Sequence, residues 1–206
     1  MSRNWHIPAL AAAVLVLSSC GQSVRTLTGA QDLGGAAGSS TVAGDDVAQI
    51  AAILEDRESG AVLQLVARND DVTTWRAAGG DTISLRDGLV VATQSLTPDI
   101  LSVDALSPIQ WRSMSRPVQT TRIHRYVDGE EKVVIRGYRC NFAEPVSDSV
   151  TISGRSRPAR RHDESCFNAD QSFTNSYWLD NSGELVQSRQ WLGEEVGYLR
   201  LQHRYP

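Results

Sequence analysis

Leu63-Gln64-Leu65-Val66-Ala67-Arg68, the turn Asn69-Asp70-Asp71, and then Val72-Thr73-Thr74-Trp75-Arg76-Ala77-Ala78-Gly79-Gly80 decide the fold class, together with Ile83-Ser84-Leu85-Arg86-Asp87-Gly88-Leu89-Val90-Val91-Ala92-Thr93. Apolar and polar residues alternate with a period of two. Turn signals recur at short intervals, and Asp87-Gly88 supplies the positive φ angles of a tight hairpin. Successive strand residues face opposite sides, so this pattern gives each strand one apolar face. The stretch reads as a four-stranded antiparallel meander.

Moving toward the C-terminus, Pro98, Pro108 and Pro117 interrupt any long element, and residues 97–118 read as a short helical turn with loops. Strand patterns resume at Thr120 to Tyr126 and Lys132 to Cys140 around Asp128-Gly129, and again at Val150 to Ser153 and Ser172 to Leu179. Asp180-Asn181-Ser182-Gly183 is a further turn, and Glu184 to Leu192 and Tyr198 to His203 complete the chain as strands. There is no internal repeat.

Toward the N-terminus the pattern differs. Asp45-Asp46 precedes Val47, Ile50, Ala51, Ile53 and Leu54, which recur at helical spacing, so one N-terminal helix is expected at about 45–58, capped by the acids and ending near Ser59-Gly60. From Gly21 to Gly44 the chain is mostly Gly, Ala, Ser and Thr, a tether composition. Ahead of it, Arg3, an apolar run from Ile7 to Leu17, and Leu17-Ser18-Ser19-Cys20 form a lipoprotein signal with its lipobox. At about 1.5 Å per residue the run reaches only about 17 Å, short of the roughly 30 Å bilayer core. It therefore reads as an export signal, residues 1–19, removed to leave a lipidated Cys20. Three acyl chains on one cysteine make a permanent membrane anchor, since two lipid signals already suffice. Gly21, in place of the Asp that retains lipoproteins at the inner membrane in enteric-type bacteria, points to the outer membrane, facing the periplasm.

Removing residues 1–19 from a chain of 206 leaves 187 residues, one domain over 45–206 behind the 20–44 tether. The 20 basic residues include Arg3, so the mature chain sets 19 against 24 acids, a formal charge of −5. That excludes a globally basic nucleic-acid binder. Charge is nonetheless uneven: residues 111–161 hold eleven basic groups and five acids, while the rest of the mature chain is at −11. The export signal places Cys140 and Cys166 in an oxidising compartment, where the two are expected to form a disulfide. A zinc site is the poorer reading, with His162 as the only nearby histidine.

Trp75 with Gly79-Gly80 and the Ile83 to Thr93 hairpin resembles the first hairpins of the YjbF/GfcB family, the group 4 capsule polysaccharide lipoproteins. Phe173-Thr174-Asn175-Ser176-Tyr177-Trp178-Leu179-Asp180, Gly183, Ser188-Arg189-Gln190-Trp191 and Glu195-Val196-Gly197-Tyr198 are similar to the same family. The resemblance spans residues 45–206. It implies a mainly β domain whose antiparallel meander forms a partly closed, barrel-like sheet in the cell envelope, working beside other exopolysaccharide export proteins. It implies no enzyme activity and carries over no catalytic residue.

The chemistry-bearing motifs are correspondingly sparse: no Gly-x-Ser-x-Gly elbow, no phosphate-binding glycine loop and no His-Glu-x-x-His occur, and no metal or cofactor is expected. His124, His162 and His203 read as structural or solvated. Asp163 and Glu164 adjoin but would face opposite sides of a strand, and the glycosidase pairing considered is Asp180 with Glu195. Arg155, Arg157, Arg160 and Arg161 are the candidate site for an acidic glycan or lipid phosphate, since guanidinium forks onto both; a solvated charged face is the alternative. Trp75, Trp178 and Trp191 read as core, with Trp178 and Trp191 placed to pair across one hairpin, while Trp111 beside Arg112 is expected to be exposed and available to a sugar. Three functions follow: a non-enzymatic accessory lipoprotein of exopolysaccharide assembly, a lipid or lipoprotein carrier, and a polysaccharide-modifying enzyme. The first is preferred.

Overall fold

The computed structural model describes residues 48–114 and 118–204. Cys20, the signal segment and the tether lie outside the described residues. The strands are β1 (Gln49–Leu54), β2 (Ser59–Asn69), β3 (Val72–Ala77), β4 (Thr82–Arg86), β5 (Leu89–Gln94), β6 (Asp99–Asp104), β7 (Val118–Val127), β8 (Val133–Phe142), β9 (Val146–Ile152), β10 (Arg155–Phe167), β11 (Ser172–Leu179), β12 (Leu185–Trp191) and β13 (Tyr198–Arg204). One short helix, α1 (Pro108–Arg112), follows β6. The sheet runs β5-β4-β3-β2-β1-β13-β12-β11-β10-β8-β7-β6, with β9 hydrogen-bonded to β10 as a side branch. Every pairing is antiparallel.

The two ends of this order, β5 and β6, come together and nearly close the barrel. Side chains bridge them: Thr93 Oγ1 donates to Asp99 Oδ1 at 2.8 Å and accepts from the Ile100 amide at 2.9 Å, while Asp99 also accepts from the Ser95 and Leu96 amides. Inward residues such as Ile50, Leu63, Trp75, Leu85, Ile100, Leu199 and Leu201 make one continuous apolar core.

The expected meander from Leu63 to Thr93 is present. Asp70, Asp87 and Gly88 take the positive φ angles that its turns require. At Gly88 the requirement is double, because an added Cβ would also lie 2.1 Å from Leu185 Cδ2.

The N-terminal helix is a correction. Asp45-Asp46 lies outside the described residues, but Gln49–Leu54 is a strand held between β2 and β13, followed by one 3₁₀ turn at Glu55–Arg57. Ile50 and Ala52 are buried while Ala51 and Ile53 are half-buried, the profile of a central strand. A short apolar run in such a strand satisfies the helical and the extended period equally, and pairing on both edges decides it. Residues 97–118 likewise contain strand β6 besides the expected helical turn. A register shift between Ile100 and Ser102 breaks its alternation. Helix α1 is set by a capping box in which Ser107 and Gln110 satisfy each other, with Pro108 in the first turn.

Candidate functional site

Cys140 on β8 and Cys166 on β10 are directly opposed in register, 4.0 Å apart at Cα, and form the expected disulfide inside the barrel. Beside it lies an ionic network that sequence reasoning missed. Arg122 on β7 reaches across to Glu164 on β10, with Nη2 to Oε2 at 2.7 Å and Nε to Oε1 at 3.3 Å. The Glu164 carboxylate also accepts from Asn175 Nδ2 at 2.9 Å and Tyr177 Oη at 3.4 Å. Burial opposes the charge of Arg122, but Glu164 and Tyr177 outweigh it and hold the guanidinium more firmly protonated than usual.

Arg122 Nη1 contacts His124 Nε2 at 3.4 Å, and since guanidinium only donates, Nε2 is the acceptor and Nδ1 carries the proton toward Tyr126 Oη at 2.7 Å. Burial, and then the neighbouring Arg122, push His124 well below the ordinary imidazole value, so it is neutral. Burial raises Tyr126, Tyr138 and Tyr177 above the usual phenol range. Tyr138 Oη donates a hydrogen bond outward to Gln171 Oε1 at 2.7 Å. These groups each have partners within the fold. The sulfurs of Cys140 and Cys166 lie within 4.8 Å of the Glu164 carboxylate, but they are bonded to each other and so offer no thiolate to a metal.

The structure separates the four candidate arginines. Arg161 lies between Asp148 and Asp163, at 3.3 and 3.1 Å. Register places Arg155 and Arg157 on the face of the β9–β10 arm that also carries Ile152 and Val150, whereas Arg160 sits on the opposite face and donates to the Pro145 carbonyl. Val150, Ile152 and Ala159 of this arm pack with Val186 and Trp178. Trp178 Nε1 donates to Asp148 at 2.9 Å, which together with the Ser149 amide lowers the Asp148 pKa.

Trp111 is a correction: it is 0 % exposed, centred 4.8 Å from His162, 4.9 Å from Phe142 and 5.6 Å from Tyr177. Helix α1 turns it inward as the plug of one barrel end. No sugar reaches it there. Trp75 is buried core as expected, but Trp178 and Trp191 do not pair: Trp178 opposes Gln187, and Trp191 opposes Tyr198 and stacks 5.9 Å from Phe173.

Asp163 and Glu164 do face opposite sides, Asp163 toward Arg161 and Ser176, Glu164 inward. Asp180 and Glu195 lie in the turns at opposite ends of β12, roughly 23 Å apart at strand rise, and form no glycosidase pair. Asp180 instead organises its turn, accepting from the Ser182 hydroxyl and from the Ser182 and Glu184 amides, which lowers its pKa.

Among the described residues the surface carries these two concavities, besides any smaller ones. One, about 200 Å³, sits at the α1 end among Pro108, Ile109, Leu185 and His203. The other is an open groove of about 440 Å³ beside β8, lined by Gly137, Arg139, Phe167, Asn168 and Ala169.

A nearly closed antiparallel sheet, tied by an internal disulfide and holding a buried ion pair, defines a barrel-like β domain. The chain belongs to the YjbF family, described as group 4 capsule polysaccharide lipoprotein gfcB, YjbF, whose model matches residues 36–203. Its fold is similar to the crystal structure of the hypothetical lipoprotein YmcC from Escherichia coli (K12), at 16 % identity and a TM-score of 0.67 over 78 % of this chain and 85 % of that one. No curated protein matches the sequence.

Proposed function

We propose that this chain is a non-enzymatic accessory lipoprotein of capsule or exopolysaccharide assembly, anchored through lipidated Cys20 in the outer membrane with its β domain in the periplasm. The observation that carries the reading is the family match over residues 36–203 directly behind a lipobox at Leu17 to Cys20. A family of capsule polysaccharide lipoproteins supplies the process; the lipobox supplies the attachment. The accessory role draws support from the barrel interior, where Arg122, Glu164, His124 and Tyr177 are bound to one another rather than facing a cleft. Side chains fill that interior, which favours this reading over a lipid carrier, since a carrier needs an acyl-sized cavity. Acidic polysaccharide remains the ligand proposed for the exposed Arg155 and Arg157, which share one face of the arm.

Deletion of the gene, with secreted polysaccharide measured, tests the role, and complementation by wild type and by Cys20→Ala tests the anchor. Loss of polysaccharide restored by wild type but not by Cys20→Ala is expected. Normal polysaccharide in the deletion strain would overturn the assembly role, and full rescue by Cys20→Ala would overturn the need for attachment.

A further inference from the structure

The concavity at the α1 end is built where four segments meet at one mouth of the barrel: the β4–β5 turn at Asp87-Gly88, helix α1, the β11–β12 turn leading to Leu185, and the end of β13 at His203. Register sets His203 opposite Ile50, which is fully buried, so the imidazole lies on the inner face of its strand. The segments are tied to one another. Ser107 Oγ donates to Asp87 Oδ2 at 3.1 Å, joining the start of α1 to the first turn, and Arg112 Nη1 donates to the Gly183 carbonyl, joining its end to the second. Leu185 lies so close to Gly88 that no Cβ fits between them. The hollow is therefore formed in advance, and a ligand entering it does not have to order its walls.

Its lining divides by chemistry. Pro108, Ile109 and Leu185 supply an apolar wall, and Asp87, Arg112, Glu184 and His203 supply polar groups. Among the described residues no hydrogen bond engages the Glu184 carboxylate or the His203 ring. Arg112 uses one of its five N–H donors on Gly183. Burial holds His203 below the ordinary imidazole value against the opposing pull of Glu184, so near neutral pH the ring offers one donor and one acceptor. Two carboxylates against one guanidinium leave the mouth negative, which disfavours a phosphate or carboxylate ligand. A volume of about 200 Å³ is too small for an acyl chain or a run of sugars and suits a single ring.

We propose that this mouth binds one neutral sugar unit, at a chain end or side branch of the polysaccharide, an assignment that rests on the capsule or exopolysaccharide role proposed above. A sugar ring carries hydroxyls around its rim and C–H groups on its faces, which matches a polar rim over an apolar wall. Asp87 and Glu184 accept from hydroxyls, Arg112 and His203 donate to sugar oxygens, and a C–H face packs on Ile109 and Leu185.

The test titrates the purified full mature chain, with nitrogen-labelled histidine, against the methyl glycosides of glucose, galactose, mannose and rhamnose. The His203 ring signals, assigned with His203→Gln, are read by NMR. At least one glycoside should move them saturably, with a dissociation constant of about 1 mM, while the signals of buried His124 stay in place. Glu184→Gln and Asp87→Asn, both at exposed positions, should each weaken binding about tenfold without changing the denaturation midpoint. Ile109→Trp, which fills the hollow, should abolish binding, and Arg155→Ala with Arg157→Ala should leave it unchanged. No response to any of the four at about 50 mM, far above a 1 mM constant, would overturn the proposal. So would a stronger response to inorganic phosphate or glucuronate than to any glycoside, or wild-type binding by Ile109→Trp. The gene deletion separates the two readings: normal polysaccharide in that strain removes the assembly role while sugar binding still upholds the site, and lost polysaccharide with an unresponsive His203 removes the site alone.

Discussion

Arg122 and Glu164 meet inside the barrel at 2.7 Å, with side-chain exposures of 3 % and 1 %, across the intervening strand β8. A pair this deeply buried holds its neighbours in place more than it stabilises the fold, since desolvation offsets most of its attraction. What it does forbid is removal of one partner alone.

Arg122→Met should therefore destabilise the domain by about 3–5 kcal/mol, because Glu164 is left charged and unpaired in the interior. The double variant Arg122→Met with Glu164→Leu should recover much of that loss. Urea denaturation of the three proteins measures it, and a double variant as unstable as the single one would contradict this account.

Reduction of Cys140–Cys166, which closes a loop with a sequence separation of 26, should cost about 3 kcal/mol in the chain-entropy model. The unreduced protein should show no free thiol from this pair by mass spectrometry. A denaturation midpoint unchanged by reductant would show that the bridge adds nothing to stability.

His124 is held neutral by burial and by Arg122, with Tyr126, Tyr138 and Phe173 around it, so its folded pKa lies below its unfolded one. In that window the unfolded chain binds more protons, and stability falls as pH drops below about 6.5 toward the folded value. His203, also lowered by burial, acts in the same direction. The decline below pH 6.5 should become shallower in His124→Gln, measured against wild type by denaturant midpoints across pH 5–8; an equal slope would assign it elsewhere.

Trp111 packs between Phe142, His162 and Tyr177, and truncation to Ala should cost about 3–5 kcal/mol. A variant retaining Trp111 as its sole tryptophan should emit at short wavelength and resist quenching by acrylamide. Ready quenching would place the ring at the surface.

How far the chain could be read in advance follows from the range of the interactions involved. Strands β3, β4 and β5 announce themselves through alternation and through turns such as Asp87-Gly88, all of which are local. Strand β1 does not: Ile50, Ala51, Ile53 and Leu54 fit a helical period as well as an extended one, and only pairing with β2 and β13 chooses. Trp111 misleads for the same reason. Next to Arg112, in a stretch broken by prolines, it looks like a loop residue, yet the Ser107 cap starts a helix that turns the ring into the barrel end.

The candidate site divides along the same line. Cys140 and Cys166 could be paired in advance because export and a count of two suffice, with no geometry needed. Arg122 and Glu164 could not, since 42 residues and an intervening strand separate them and neither stands in a motif. The run Arg155 to Arg161 looks like one basic patch in the chain; its antiparallel register with β9 sends Arg160 to one face and Arg155 and Arg157 to the other, while Asp148 and Asp163 take up Arg161.

Fold class and family were thus written in local order: the period of two and hairpin turns such as Asp87-Gly88 each act within a few residues. Barrel closure, the buried ion pair and the fate of Trp111 depend on which distant strands become neighbours. Those neighbours are selected by the free energy of the whole closed sheet, a quantity that no short stretch of the chain contains.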